Sequence, residues 1–311
     1  MPEHTFKTSI GGQALIEGIM MRGPKKSAMA IRLPDGGIDL EEWDTPNLSR
    51  WYRKTPFVRG CFNMVDAMRT GYRCLTKSAE KAGFAEEEPS RFEKWLTAKL
   101  GDNMSKVFTA FSIVLGVILA VGLFVLLPLF LAWLIVNGAG LTLAPSARAL
   151  LEGLLRIAIF VLYILAVSRL KDIRRVFAYH GAEHKTIACY EAGEELTVEN
   201  VRPKSRFHPR CGTSFLLIVL VISILVFSVV RWESVLERAI FRTALLPVVI
   251  SIAYEIIKLA GRYDNIFTRV ISAPGLWLQR LTANEPDDGQ IEIAIAAMRP
   301  AIPADDGADK W

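Results

Sequence analysis

A charge-free apolar run at residues 107–136 constrains this chain more than any other feature. It exceeds the roughly 20 residues that a helix needs to cross a hydrocarbon core, so it must tilt or bend, and Pro128 marks the place for a bend. Three further apolar segments follow. Residues 157–170 reach spanning length only if 150–156 joins them, with Glu152 and Arg156 near one end. Residues 213–230 are uninterrupted, and residues 239–260 carry Arg242 near one end and Glu255 and Lys258 near the other. The hydrophobic fraction is 51% and the mean hydropathy +0.29 over 311 residues, and the apolar residues arrive in blocks rather than at amphipathic spacing. The expected fold is therefore mainly α, a polytopic membrane protein with about four transmembrane helices at 105–260.

Basic residues orient it. Residues 1–106 hold 17 Lys and Arg, residues 169–212 hold 9 and the tail from Lys258 holds 6, against 2 between the first two apolar segments and 3 between the last two. By the positive-inside rule both termini and the loop 171–212 are expected on the cytoplasmic side of a bacterial inner membrane. The first hundred residues lack the short apolar core of a signal peptide, so the first span is expected to direct insertion. Cys61, Cys74, Cys189 and Cys211 all fall on the cytoplasmic side, which predicts free thiols or metal ligands rather than disulfides. The net charge of +5 follows this topology and implies no nucleic-acid partner.

Residues 1–104 are long and patterned enough for a small α+β domain. The stretch 11–24 is glycine-rich and reads as a structural turn, since it lacks both a G-x-G-x-x-G pattern and a P-loop lysine. Residues 27–33 and 38–43 flank Pro34-Asp35-Gly36-Gly37, the chemistry of a β-hairpin. Residues 57–81 place Val58, Cys61, Phe62, Val65, Met68, Tyr72 and Leu75 at helical spacing, a helix that packs on another surface such as the membrane. After the last span, 262–281 reads as an amphipathic juxtamembrane stretch with Trp277 as anchor, for which anionic-lipid binding is the bolder alternative. Residues 291–298 form a short helix or strand, and the acidic end from Ala304 is expected to be disordered.

The loop between the second and third spans carries the chemistry. Residues 180–184 read His-Gly-Ala-Glu-His, and on a helix positions i and i+4 share a face, so His180 and His184 can present two imidazoles to one ion. Glu183 beside them is a candidate base, the order found in inverted zinc peptidases. Three of the four histidines lie in this loop, because His208 follows, with Cys211 after it. A helix continuing the second span from 173 to 191 would carry His180 about 15 Å beyond Leu170, and a fold-back of the 24 residues after His184 would bring His208 and Cys211 to the same level. Two imidazoles completed by His208 or Cys211 suit zinc, although iron, cobalt and nickel accept such ligands too. Glu191, Glu194 and Glu195 lie near enough to orient an imidazole. Glu255 could be a distant carboxylate ligand, or could be neutralised by Lys258 at the interface. A purely structural alternative also stands, in which His180 caps a helix or meets lipid phosphate beside Lys185, Arg206 and Arg210.

Residues 11–22 (GGQALIEGIMMR), 180–185 (HGAEHK), 208–215 (HPRCGTSF) and 274–282 (PGLWLQRLT) together resemble the motifs of the YqhQ family of bacterial membrane proteins. The resemblance spans nearly the whole chain and implies a metal-dependent membrane enzyme without fixing its substrate. Carried over position by position, it marks Gln13, Glu17, His180, Glu183, His184, His208 and Cys211, with Arg22 and Arg210 behind them. The expected function is a zinc-type hydrolase that cleaves a bond in a peptide or lipid headgroup at the cytoplasmic membrane face, the small-molecule or peptide substrate itself being unidentified. The alternative is a non-catalytic assembly, translocation or scaffold factor that contacts other membrane proteins. Residues 261–311 complete the organisation as a cytoplasmic helix and tail.

Overall fold

The computed structural model describes residues 6–46, 51–83, 104–229, 235–263, 265–305 and 308–309. Four strands come first: β1 (Gly11–Leu15), β2 (Gly18–Arg22), β3 (Lys26–Arg32) and β4 (Ile38–Asp44), paired antiparallel in sequence order. The β3–β4 turn uses the predicted chemistry, with Gly36 at φ 86° and the Asp35 carboxylate accepting from the Gly37 amide at 2.8 Å. Residues 11–22, expected as a turn, instead form the β1–β2 hairpin. Its tight reversal pairs Leu15 with Gly18 and holds Glu17 at φ 51°, a left-handed conformation with no glycine to announce it.

Helices follow as α1 (Trp51–Lys54), α2 (Arg59–Lys81) and α3 (Met104–Val121), which passes through a π-helical turn (Gly122–Leu126) into α4 (Leu127–Gly138). Next come α5 (Pro145–Val167), α6 (Lys171–Glu191), α7 (Val198–Val201), α8 (Gly212–Val229), α9 (Val235–Arg262), α10 (Ile266–Thr282) and α11 (Asp288–Ala301). By packing, the chain divides into two compact units: Met1–Gly83 with Ile164–Ser223 and Trp232–Trp311, and Phe84–Tyr163 with Ile224–Arg231.

In the first unit the sheet lies between helices. Alternation along the strands sends Leu15, Met20, Met29 and Ile31 to one face, against Cys74 of α2. Ile19, Met21 and Ala30 go to the other, where they share a core with Tyr179, Ala182 and Ile187 of α6 and with Ile291, Ile295 and Met298 of α11. The stretch 291–298 is thus helical, begun by a capping box between Asp287 and Gln290. The acidic end is only partly free of the fold: buried Asp309 accepts from the Thr8 hydroxyl at 2.5 Å.

Helix α2 meets the protein through a face other than its apolar stripe. Gly60, Gly71, Cys74 and Ser78 are its buried residues, while Phe62, Val65, Met68 and Tyr72 stay exposed. Small residues let it approach its neighbours closely; a Cβ on Gly60 would sit 2.8 Å from Cβ of Tyr254 in α9. Arg59 locks the same crossing, its Nε donating to the Glu255 carboxylate at 2.7 Å.

In the second unit, Pro128 cannot donate to the Phe124 carbonyl one turn earlier, and the helix widens into the π turn just before it. The freed carbonyl accepts instead from Arg156 Nε of α5 at 2.9 Å, which satisfies the backbone group that Pro128 leaves without its helical donor.

Among the described residues three helices are long and apolar enough to cross a membrane: Ala110–Gly138, Pro145–Val167 and Thr243–Arg262. Gly212–Phe227 is apolar but shorter, so a count of four is not established. The second span starts earlier than 157, taking in 150–156, and it does not run on into the loop. Leu170 is extended at φ −68°, ψ 134°, so α6 begins as a separate helix.

Because α2 meets α9 through Gly60, replacing Gly60 by Leu is expected to destabilise the detergent-solubilised protein by about 1–3 kcal/mol through overpacking. Gly11→Ala, where a Cβ meets nothing within 4 Å, should leave the thermal midpoint within error of wild type.

Candidate metal centre

Helix α6 is enclosed by β1, β2 and α11, and every residue from Gly181 to Cys189 is buried. The helical repeat places His180 and His184 on one side of it, with ring centroids 4.3 Å apart. Gly181 is required between them, since a Cβ there would collide with the backbone carbonyl of Asn284. That close approach also lets the Asn284 amide donate to the Phe177 carbonyl at 2.8 Å, and so fixes the end of α10 against α6.

Each imidazole is held by a backbone carbonyl. His180 Nδ1 lies 2.7 Å from the Thr282 carbonyl oxygen and His184 Nδ1 lies 2.6 Å from that of Arg206. A carbonyl only accepts, so both Nδ1 atoms carry the proton and both Nε2 atoms present a lone pair. Cys211, just before the first turn of α8, brings its Sγ to 3.2 Å from His180 Nε2. The ligand atoms of His180, His184 and Cys211 all lie within 4.8 Å of one another. Thr213 supports the sulfur through its hydroxyl at 3.1 Å and its amide at 3.4 Å.

The electrostatics match this geometry. Burial by itself would raise the Cys211 thiol, but the imidazoles of His180 and His184 bring it well below its usual value. Burial would likewise lower His180, yet the charge and hydrogen bond of Cys211, then Glu183, raise it. Thiol and imidazole thus favour each other's charged form, Cys211 being moved down and His180 up around the place a cation would take. Two nitrogens and one sulfur fit a zinc-type ion, and three protein ligands are the number that leaves a fourth position open.

The other sequence-marked residues stand around this cluster rather than in it. Glu183 is buried with its carboxyl against Gly12 of β1, where a Cβ would come 3.0 Å from Cδ. Burial raises its carboxyl, outweighing the two imidazoles and the Gly12 amide. His208 packs 5.5 Å from His184 between ring centroids, but its Nε2 faces Arg210 Nη2 at 3.0 Å and Glu191 at 3.7 Å. Burial takes the His208 ring down to about 4, which keeps it a neutral acceptor for the Arg210 guanidinium. Lys185 donates to the Arg202 carbonyl at 2.8 Å and pairs with Glu285 at 2.6 Å, which commits it to the loop. Glu255 lies in the α2–α9 ion pair. Gln13 and Arg22 face α2, the first against Gly71 and the second on Asp66 at 2.7 Å. Glu17 accepts from Tyr179 at 3.1 Å and pairs with Arg175, which holds the β1–β2 turn to α6.

Two further supports complete the surroundings: Glu191, one of the three carboxylates expected near an imidazole, and Gln279, which was not singled out from the sequence. Glu191 accepts from the Thr8 amide at 2.8 Å and pairs with Arg210, whose other branch reaches the Thr8 carbonyl at 2.9 Å. Burial opposes its ionisation, but the His208 ring and the Arg210 guanidinium bring it to about 2. Gln279 of α10 clamps the His208 backbone, accepting from its amide at 2.8 Å and donating to its carbonyl at 2.7 Å. Its only sequence signal is membership of the motif at 274–282.

The family described as "Protein of unknown function (DUF1385)" matches residues 55–304. Over 302 residues the chain is 37% identical to "Uncharacterized protein YqhQ" of Bacillus subtilis (strain 168), a match covering 96% of this chain and 93% of that relative. No solved structure matches it. The chain belongs to the DUF1385 family, and neither description carries an activity.

Glu191 should register in pH-dependent stability. Its folded value near 2 lies below the ordinary 4.5, so its contribution is present above pH 4.5 and is lost as pH falls towards 2. Glu191→Gln, which leaves Arg210 buried without its charge partner, is expected to cost about 3 kcal/mol at pH 7. In thermal melts of the two proteins this gap should close on acidification through that window; a gap independent of pH would refute the assignment.

Proposed function

We propose that this member of the DUF1385 family is a four-span protein of the bacterial inner membrane whose cytoplasmic loop builds a metal-dependent hydrolytic centre. Gly212–Phe227 completes the fourth span, and the positive-inside distribution of Lys and Arg puts both termini and α6 in the cytoplasm. The observation that carries the reading is the convergence of His180 Nε2, His184 Nε2 and Cys211 Sγ, with both imidazoles pinned through Nδ1. Bound there, a zinc-type ion would supply Lewis acidity and acidify a water in its open position. The protein's own part is to hold the two ring nitrogens and the sulfur in register and to exclude bulk water. His180 is the half-buried member of the set.

Glu183 is the proton acceptor in this reading. Burial raises its carboxyl, the direction in which a carboxylate general base is tuned. The packing of Glu183 against Gly12 favours a second reading, in which the carboxylate and a structural metal pin the loop to the sheet of a non-catalytic assembly or scaffold factor. The two separate by mutation. Wild-type protein purified in detergent is expected to carry about one metal per chain by elemental mass spectrometry, and His184→Ala to lose it. Glu183→Gln should keep metal and fold while abolishing the cellular role in a complementation assay. A silent Glu183→Gln beside a His180→Ala that unfolds the loop would establish the structural reading instead.

A further inference from the structure

Helix α10 and the end of α9 enclose a cavity of about 500 Å³ that the metal centre does not use. Its size is that of a small-molecule site. One wall is made of Ala260 and Gly261 at the end of the Thr243–Arg262 span, and of Tyr263 just after it. The other is α10, and the inner end is His208 with Arg210 and Glu191.

Its chemistry is two-sided. Lys7, Arg210, Arg269 and Arg280 line it, against one carboxylate among the described residues, Glu191. Lys7 is anchored by donating to the Gly261 carbonyl at 2.9 Å, which fixes its charge at the membrane end of α9. Leu276, Trp277 and Phe207 give the cavity apolar lining. Alongside it, α10 exposes Ile266, Phe267 and Val270 at 73%, 76% and 65%, the face by which an amphipathic helix lies in a membrane interface. Guanidinium groups in numbers recognise phosphate through paired N–H donors, and an apolar wall beside them accepts a chain.

We propose that this cavity binds the phosphate head of an anionic amphiphile drawn from the membrane, with Lys7, Arg269 and Arg280 on the phosphate and the Leu276–Trp277 wall along the first part of its chain. The amphiphile enters at the level where the Thr243–Arg262 span ends. The inner end of the cavity lies next to the metal centre at His208, whose ring is 5.5 Å from that of His184. Taking this ligand as the substrate of the metal centre rests on the hydrolase reading; the binding itself does not.

The test uses the full-length protein in detergent and isothermal titration with dihexanoyl phosphatidylglycerol, dihexanoyl phosphatidylcholine and inorganic phosphate. Phosphatidylglycerol is expected to bind at least tenfold more tightly than either of the others. Arg269→Ala/Arg280→Ala, two exposed positions, should weaken it at least tenfold. Ala273→Trp, which fills the cavity from a lining position, should do the same without touching a charge. Inorganic phosphate binding as tightly as phosphatidylglycerol would overturn the amphiphile in favour of a free anion. Equal affinity for the two lipids, or affinity unchanged in both variants with unchanged melting temperatures, would overturn the site. Metal content of the same samples separates this from the hydrolase reading. Lipid binding lost while metal is retained condemns the cavity proposal alone, whereas a metal-free wild type that still binds phosphatidylglycerol condemns only the hydrolase.

Discussion

The candidate centre depends on two hydrogen bonds from imidazole to backbone. His180 and His184 would share a helix face on any α-helix, but a shared face leaves each ring free to rotate and to choose its tautomer. The Thr282 and Arg206 carbonyls remove both freedoms. Because those carbonyls come from the end of α10 and from the loop before α8, the rings are set only when both of these segments have closed on α6. Cys211 sits on the same loop as Arg206, so the closure that orients His184 also delivers the sulfur.

Closure is itself secured by groups that do no chemistry. Glu191, Arg210 and Thr8 tie the end of α6, the turn before α8 and the N-terminal segment into one buried cluster, and Gln279 fastens the His208 backbone to α10. A buried ion pair of this kind adds little net stability over an apolar substitute, but it admits one arrangement and penalises others heavily. Gly12 and Gly181 act in the same direction: each keeps a backbone near α6 at a distance where a side chain would not fit.

The helical spacing of His180, Glu183 and His184 was legible because i and i+4 contacts are local, and the β3–β4 hairpin was legible because Asp35-Gly36-Gly37 has few other conformational uses. What escaped was non-local. The β1–β2 hairpin turns at Ile16-Glu17, where the left-handed residue is not glycine, and strand pairing depends on β3 closing against β2. The face by which α2 meets the protein was not legible beside its stripe of large apolar residues, because that contact is made through Gly60 and Gly71, whose value lies in what they lack. By spacing, His208 was as good a ligand as Cys211; Arg210 and Glu191 turn it away, a competition among neighbours that a linear motif does not express. Residues 150–156 do join the second apolar helix, as its length required, and Arg156 is tolerable there because the carbonyl released by Pro128 is present to receive it.

X-ray absorption at the metal edge of the purified, detergent-solubilised protein tests the central claim most directly. The account predicts a zinc-type ion with two nitrogen ligands at about 2.0 Å, one sulfur at about 2.3 Å and a light-atom ligand from solvent in the remaining position. A first shell without sulfur, a shell closed by four protein ligands, or well-folded protein that takes up no divalent metal on reconstitution would contradict it.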